Sequence, residues 1–185
     1  MERLLERHRP AAPDLPVLAY LTPPLKEDLE IVGPVSLNLF GASTANDTAW
    51  VAKLDDVSPD GKFRTVSKGW LKASHREVDQ SRYSPGQPFH THTNPTPLAP
   101  GKVYEFEIEI WPVFRSFKTG HRLRLRIASK DSRKWDVANF HSIVEQPATN
   151  TVYHDDEYPS YLLLPVIPGP APSAPKPRFD FVPRD

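Results

Sequence analysis

Twenty-two prolines are spread through the 185 residues of this chain, against only eight glycines. A proline inside a helix removes a backbone hydrogen bond and clashes with the preceding turn, so a chain interrupted this often has little room for long helices. Prolines are accommodated at the ends of short strands and in the turns that join them. The distribution of proline therefore predicts many short strands joined by rigid turns.

The segments between the prolines have the β-rich composition and period-two alternation of strands. In the clearest pair, 103–110 alternates apolar residues with three glutamates and 122–127 alternates them with three arginines. These charges would face each other if the two strands were neighbours and form two solvated faces if they were not, and the sequence leaves both arrangements open. The predicted strands are 17–22, 34–41, 49–57, 63–74, 102–111, 121–129, 149–154 and 160–167. About eight antiparallel strands with few or no helices predict an all-β sandwich, with the jelly roll as the favoured arrangement.

The two ends of the chain differ from its middle. Residues 1–16 are predicted to be a linker that begins with two helical turns at 2–9, because closely spaced prolines follow and bias their neighbours toward extended backbone. Residues 17–168 form the predicted sandwich domain. Residues 169–185 are predicted to be a proline-rich tail.

The composition argues against several classes of function. The 23 basic and 23 acidic side chains cancel, so no long-range field gathers nucleic acid or an anionic membrane. The absence of cysteine excludes disulfides, thiolate metal sites and cysteine nucleophiles. No apolar run approaches the ~20 residues that span a bilayer, and the N-terminal segment lacks the apolar stretch of a signal peptide. The sequence predicts a cytoplasmic protein without nucleic-acid or membrane partners.

A serine nucleophile is one chemical possibility. Ser43 lies in a degraded form of the Gly-x-Ser-x-Gly elbow, and Asp131 and His154 follow it in the order serine, acid, histidine. That elbow requires a mostly parallel sheet covered by helices, whereas the downstream chain offers short, half-solvated strands. Ser43 is therefore predicted to be an ordinary residue at a turn or strand end.

Other candidate sites have simpler structural explanations. His90 and His92 could present two imidazoles from one strand face, with His121, His141 or His154 as a third metal ligand. They lie in a long proline-rich connection without a carboxylate at ligand spacing, which favours loop histidines.

The acidic run 155–157 could bind calcium or act in acid–base chemistry, but a strand-ending turn explains it equally well. Four tryptophans, at 50, 70, 111 and 135, could form platforms for sugars, although such residues more often fill cores or domain interfaces. No residue is assigned to a catalytic, cofactor or metal site.

A series of short motifs keeps a fixed order from about residue 17 to residue 168. The motifs are 25–33, Asp47 with Trp50, 52–61, Pro100-Gly101, 120–125, 150–154 and 159–168. Together they resemble the C-terminal domain of the cocaine esterase and X-Pro dipeptidyl-peptidase family of serine hydrolases. The resemblance implies a galactose-binding-like jelly roll in which 49–57 is a strand and 58–61 is the hairpin turn that follows it. The Pro-Asp-Gly chemistry of that turn agrees independently.

The resemblance also implies a function. In that family the catalytic residues lie on an upstream α/β-hydrolase domain, so none is transferred to this sequence, and neither catalysis nor a cofactor is expected of the isolated chain. The chain is predicted to pack on such a catalytic domain, in the same gene product or a separate chain, and to help shape its substrate cleft. Trp111, Phe114 and Phe117 are the predicted docking residues, with burial in the core as the alternative. A homo-oligomer is left open.

Two departures from the family pattern stand out. Ala49 occupies a position that is commonly acidic in the family, and 132–139 replaces the usual loop containing proline and asparagine. The alternative functions are a free-standing module that binds carbohydrate or a protein partner, and a small independent hydrolase that uses Ser43.

Overall fold

The computed structural model of the chain describes residues 6–7, 17–131 and 147–168. Several predicted features lie outside the described residues. They are the remainder of the predicted linker, the predicted tail 169–185, the segment 132–139 that departs from the family pattern and contains Trp135, and His141. The domain bounds 17–168 stay a prediction.

Strands make up nearly all the regular structure of the described residues. They are β1 Glu6–Arg7, β2 Leu18–Leu21, β3 Leu29–Ser43, β4 Ala49–Val57, β5 Phe63–Lys72, β6 Tyr104–Phe117, β7 Arg122–Ala128, β8 Asn150–Tyr153, β9 Tyr161–Leu163 and β10 Val166–Ile167. One 3₁₀ turn, Ala73–His75, follows β5. The all-β prediction is confirmed, and each predicted strand is present. The segment predicted as one strand at 160–167 is two short strands, separated by Leu164 and Pro165.

All strand pairs are antiparallel, in the order β1-β2-β7-β4-β5-β6-β3-β10, and β8 and β9 also pair with β3. Buried side chains from β3, β4, β5, β6 and β7 form one core cluster. The sheet therefore curls around a single core, as in a sandwich. The jelly-roll connectivity within that class stays a prediction.

The two halves of the curled sheet meet where β5 approaches β6. Gly69 and Ile110 are the one register pair between these strands. A Cβ atom added to Gly69 would lie 2.0 Å from the carbonyl oxygen of Glu109, far inside van der Waals contact. The junction therefore depends on a residue without a side chain.

The hairpin turn between β4 and β5 forms as predicted. The Gly61 amide donates to the Ser58 carbonyl at 2.9 Å, and Gly61 has φ 81°, a conformation that glycine adopts at little cost. The side chain of Asp60 accepts the Lys62 amide at 3.1 Å.

The prediction of helical turns at 2–9 is wrong at the two residues described there. Glu6 and Arg7 pair with Leu21 and Tyr20 of β2. This pairing gives hydrogen-bond partners to backbone groups on one edge of β2, and the helical pattern of residues 2–9 does not predict the pairing.

No helix of the described residues is long and apolar enough to cross a membrane.

The glutamate strand and the arginine strand are not neighbours: β7 lies between β2 and β4, and β6 lies between β5 and β3. Two of the arginines instead bind Asp55 of β4, which is 0% exposed. Arg124 Nε donates to Asp55 Oδ2 at 2.9 Å, and Arg126 donates to both carboxylate oxygens at 2.6 and 2.8 Å. The arginine face is thus neither paired with the glutamates nor simply solvated. It is organised around a buried carboxylate.

A second carboxylate ties the turn after β6 to the segment before β3. Asp28 accepts Lys118 Nζ at 2.7 Å and the Thr119 amide at 2.8 Å. These interactions, led by the hydrogen bond from Lys118, lower the pKa of Asp28 from 3.8 to about 2.

The depressed pKa of Asp28 predicts a pH-dependent contribution to stability. The ionised carboxylate favours the folded state above its unfolded pKa, and this contribution is lost as the pH falls through the folded pKa. We expect urea unfolding to show the largest difference between the wild type and Asp28→Asn above about pH 5, narrowing as the pH falls toward 2. A difference that is constant across this range would contradict the assignment.

Candidate docking surface

The three residues of the possible catalytic triad contact different neighbours. Ser43 is 2% exposed at the end of β3, and its Oγ accepts the Ala45 amide at 3.1 Å. The carboxylate of Asp131 is held by one lysine of β4 and one of β5. The ring of His154 packs edge-on against Tyr20. Ser43 therefore caps a local turn, as the strand-end interpretation predicts.

The two histidines of the long connection, His90 and His92, lie with their ring centroids 5.8 Å apart, but the third histidine beside them is not one of the predicted ligands. His92 Nδ1 lies 3.2 Å from Nδ1 of His75, which follows β5. Both ring nitrogens of His90 are instead engaged by backbone carbonyls, those of Glu77 at 3.1 Å and Glu107 at 2.8 Å. Burial, followed by the charges of His75 and His90, lowers the pKa of His92. These contacts attach the connection to the sheet.

The other candidate ligands also serve local structure. Asp155 Oδ1 accepts the amides of Glu157 and Tyr158 at 3.1 and 2.9 Å, which is the geometry of a capped turn. Within 6–7, 17–131 and 147–168, no three histidine, aspartate or glutamate side chains are arranged to hold a metal ion.

His121, part of the motif at 120–125, joins a buried charge cluster. Its Nδ1 lies 2.6 Å from Asp56 Oδ1, and Arg115 donates to Asp56 Oδ2 at 2.7 Å. Burial alone would raise the pKa of Asp56, but the hydrogen bonds and charges of Arg115 and His121 outweigh burial and lower it. The cluster links β4, β6 and the start of β7.

The described tryptophans divide between core and surface. Trp50 is 2% exposed and packs against Phe106. Trp70 and Trp111 form an edge-to-face pair with centroids 5.4 Å apart, and Trp111 is 65% exposed. Trp111 therefore lies at the junction of the two halves of the sheet, on its outer side.

An apolar patch extends from Trp111 across the outer face of β6, β3 and β10. We define it as Val32, Trp111, Phe114 and Ile167. Val32 is opposite Phe114 in the register, and Ile167 is opposite the outward-facing Glu30. Phe114 is 76% exposed. Large apolar side chains exposed together mark an interaction surface.

The predicted docking residues split across this strand. Trp111 and Phe114 are exposed, whereas Phe117 is 0% exposed and belongs to the core. Residues three apart on a regular strand face opposite sides, which separates Phe117 from Phe114. Trp111 is also three residues from Phe114, but a register shift opposite Gly33–Val35 resets the alternation between them.

Sequence reasoning missed Val32 and Ile167 because their position depends on pairing between distant segments. The available signal was Val32 itself, an apolar residue two positions after Glu30 in β3, so that both side chains lie on the same face of the strand. That signal identifies a surface position without identifying its neighbours.

Residues 9–163 match the family described as the X-Pro dipeptidyl-peptidase C-terminal non-catalytic domain. The chain is 31% identical over 159 residues to cocaine esterase of Rhodococcus sp. (strain MB1 Bresler), covering 82% of this chain and 25% of that protein. The chain thus spans about a quarter of the length of that relative.

Solved structures show the same fold. A CocE/NonD family hydrolase from Staphylococcus aureus superposes with a TM-score of 0.73 at 24% identity, over 82% of this chain and 30% of that one. An aminopeptidase from a marine sediment archaeon, Thaumarchaeota archaeon, gives a TM-score of 0.68 at 27% identity, over 89% of this chain and 28% of that one. The ordered motifs, the curled sheet and the match over residues 9–163 lead to one conclusion. The chain belongs to the X-Pro dipeptidyl-peptidase C-terminal non-catalytic domain family.

Proposed function

We propose that this chain packs on the α/β-hydrolase catalytic domain of a larger hydrolase and helps to shape its substrate cleft. The relatives support this proposal, because the chain matches only a quarter to a third of proteins whose names describe an esterase, a hydrolase and an aminopeptidase. The whole enzyme would then cleave esters, amides or X-Pro peptides through an acyl-enzyme, with its nucleophile outside this domain.

The apolar patch carries the proposal on the structural side. Its aromatic members, Trp111 and Phe114, are 65% and 76% exposed. Aromatic side chains are enriched at the centres of protein interfaces, where they contribute much of the binding energy. A catalytic domain seated on β6, β3 and β10 would remove this surface from water.

The patch makes a direct prediction for association. We expect Trp111→Ala and Phe114→Ala each to weaken binding to the catalytic domain of the same hydrolase by about 30-fold, the effect of losing one interface anchor. Isothermal titration calorimetry with the two domains expressed separately would measure it. Phe63→Ala is the matched control, because Phe63 is 52% exposed but stacks with Arg124 on the other half of the sheet.

Unchanged affinity in both patch variants would remove the patch from the interface.

A separate assay tests the assignment as a non-catalytic domain. The purified chain is offered an activated short-chain ester and an X-Pro chromogenic amide, with and without the catalytic domain. Turnover by the chain alone that is lost in Ser43→Ala would overturn the proposed function.

A further inference from the structure

A second group of side chains lies on the outer face of β3 and β6, away from the apolar patch. We define the acid–tyrosine cluster as Asn38, Tyr83, Glu105, Glu107 and Tyr161. Asn38 of β3 has Glu107 of β6 opposite it on one side and Tyr161 of β9 on the other. The three strands place these side chains on one face, and Tyr83 joins them from the long connection.

Asn38 is the unusual member of the cluster. It is 7% exposed, and its Nδ2 donates to Glu105 Oε1 at 2.6 Å. Its Oδ1 is fully enclosed and has no hydrogen-bond partner. Exchanging the two ends of the amide would set Oδ1 against the Glu105 carboxylate, so the hydrogen bond fixes the orientation. A buried carbonyl oxygen without a donor is costly and rare.

The surroundings supply acceptors rather than donors. Among the described residues, no lysine, arginine or histidine forms an ion pair with Glu105 or Glu107. Tyr83 lies near Glu107, and burial, followed by the charge of Glu107, raises the pKa of Tyr83. In the part of the chain that the structure describes, the cluster thus combines two carboxylates with an unsatisfied carbonyl and contains no cationic side chain.

We propose that the acid–tyrosine cluster binds a primary alkylammonium group, the chemistry of a lysine side chain. An ammonium group has three N–H donors and no acceptor, which matches two carboxylates and an amide oxygen. Tyr161 is 54% exposed and Tyr83 39% exposed, so their rings offer apolar and π surface to the methylene stem. Because Oδ1 is enclosed, the ammonium reaches it only when a neighbouring side chain moves aside. This site does not depend on the docking proposed above.

Nuclear magnetic resonance of the full chain tests the proposal with n-butylammonium chloride as the probe. We expect saturable shifts of the Asn38 side-chain amide, with sodium chloride at equal ionic strength and n-butanol as controls that give none. Binding should also lower the pKa of Tyr83, because the cation offsets the charge of Glu107.

Variants and a second probe make the test specific. Glu107→Gln should weaken butylammonium binding about tenfold, the loss of one charged hydrogen bond. Glu109→Gln should weaken it less, since Glu109 lies opposite Ser36 rather than Asn38. Methylammonium shows whether the ammonium group comes from a lysine side chain or from a small free amine. Binding weaker than that of butylammonium supports a lysine side chain, and equal binding assigns the site to small amines instead. Absence of saturable shifts with either amine, or equal affinity in both glutamine variants, would overturn the proposal.

Discussion

Replacing Gly69 by alanine is expected to lower the free energy of unfolding by about 3 kcal/mol or more, since overpacking against a rigid backbone falls at the severe end of point substitutions. The added Cβ would lie 2.0 Å from the Glu109 carbonyl oxygen and 3.0 Å from the Ile110 Cα. These are backbone atoms of β6, which cannot rotate away as a side chain can. Relief requires β5 and β6 to separate at their one paired position.

Urea unfolding followed by tryptophan fluorescence measures this effect. Gly61→Ala is the matched control: a Cβ there meets nothing within 4 Å, so the change costs only the strain of a positive φ, about 1 kcal/mol. A Gly69→Ala protein as stable as the Gly61→Ala protein would show that the two halves of the sheet do not depend on this close approach.

Removing the carboxylate of Asp55 is expected to destabilise the fold by about 3–5 kcal/mol, the usual cost of leaving a buried charge unpaired. Asp55 is 0% exposed, and the side chains of Arg124 and Arg126 are only 13% and 22% exposed. Asp55→Ala leaves two guanidinium groups enclosed without their counter-ion. It also removes the acceptor of the Thr65 hydroxyl, at 2.8 Å.

Thermal and urea unfolding of Asp55→Ala check this expectation. Asp60→Asn is the control, because the exposed ion pair of Asp60 with Lys62 should contribute nothing measurable. A triple variant with leucine at Asp55 and methionine at Arg124 and Arg126 should recover much of the lost stability, since apolar residues often replace a buried ion network at little cost. If Asp55→Ala is as stable as Asp60→Asn, the network has no structural role.

Local patterns in the sequence predicted the strands, because alternation and turn chemistry act over a few residues. The strand at 49–57 and its Pro-Asp-Gly turn are examples. Pairing between strands was not predictable, since it depends on segments far apart in the chain. Asp55 shows the consequence: nothing near it in sequence indicates that Arg124 is its register partner.

The candidate surface was predictable to a similar degree. Trp111 and Phe114 were identified as possible docking residues together with Phe117. The register shift between Trp111 and Phe114, which leaves Phe117 facing the core, depends on pairing with β3 and leaves no local mark in the sequence. The acid–tyrosine cluster could not be predicted from the sequence for another reason. Its members come from three strands and a loop, and Asn38 has no local feature that marks it as unsatisfied.

The length of β3 has a consequence for how the protein is made. This 15-residue strand has β6 along one edge, and among the described residues β8, β9 and β10 pair with its other edge. The Phe40 amide, for example, donates to Oγ of Ser160, which is 120 residues later in the chain. During translation, β3 and β6 emerge with that edge bare, and a bare edge can pair with another nascent chain. Synthesis of the last strands is therefore the step that ends the exposure to aggregation, and messages truncated before residue 150 should yield insoluble protein.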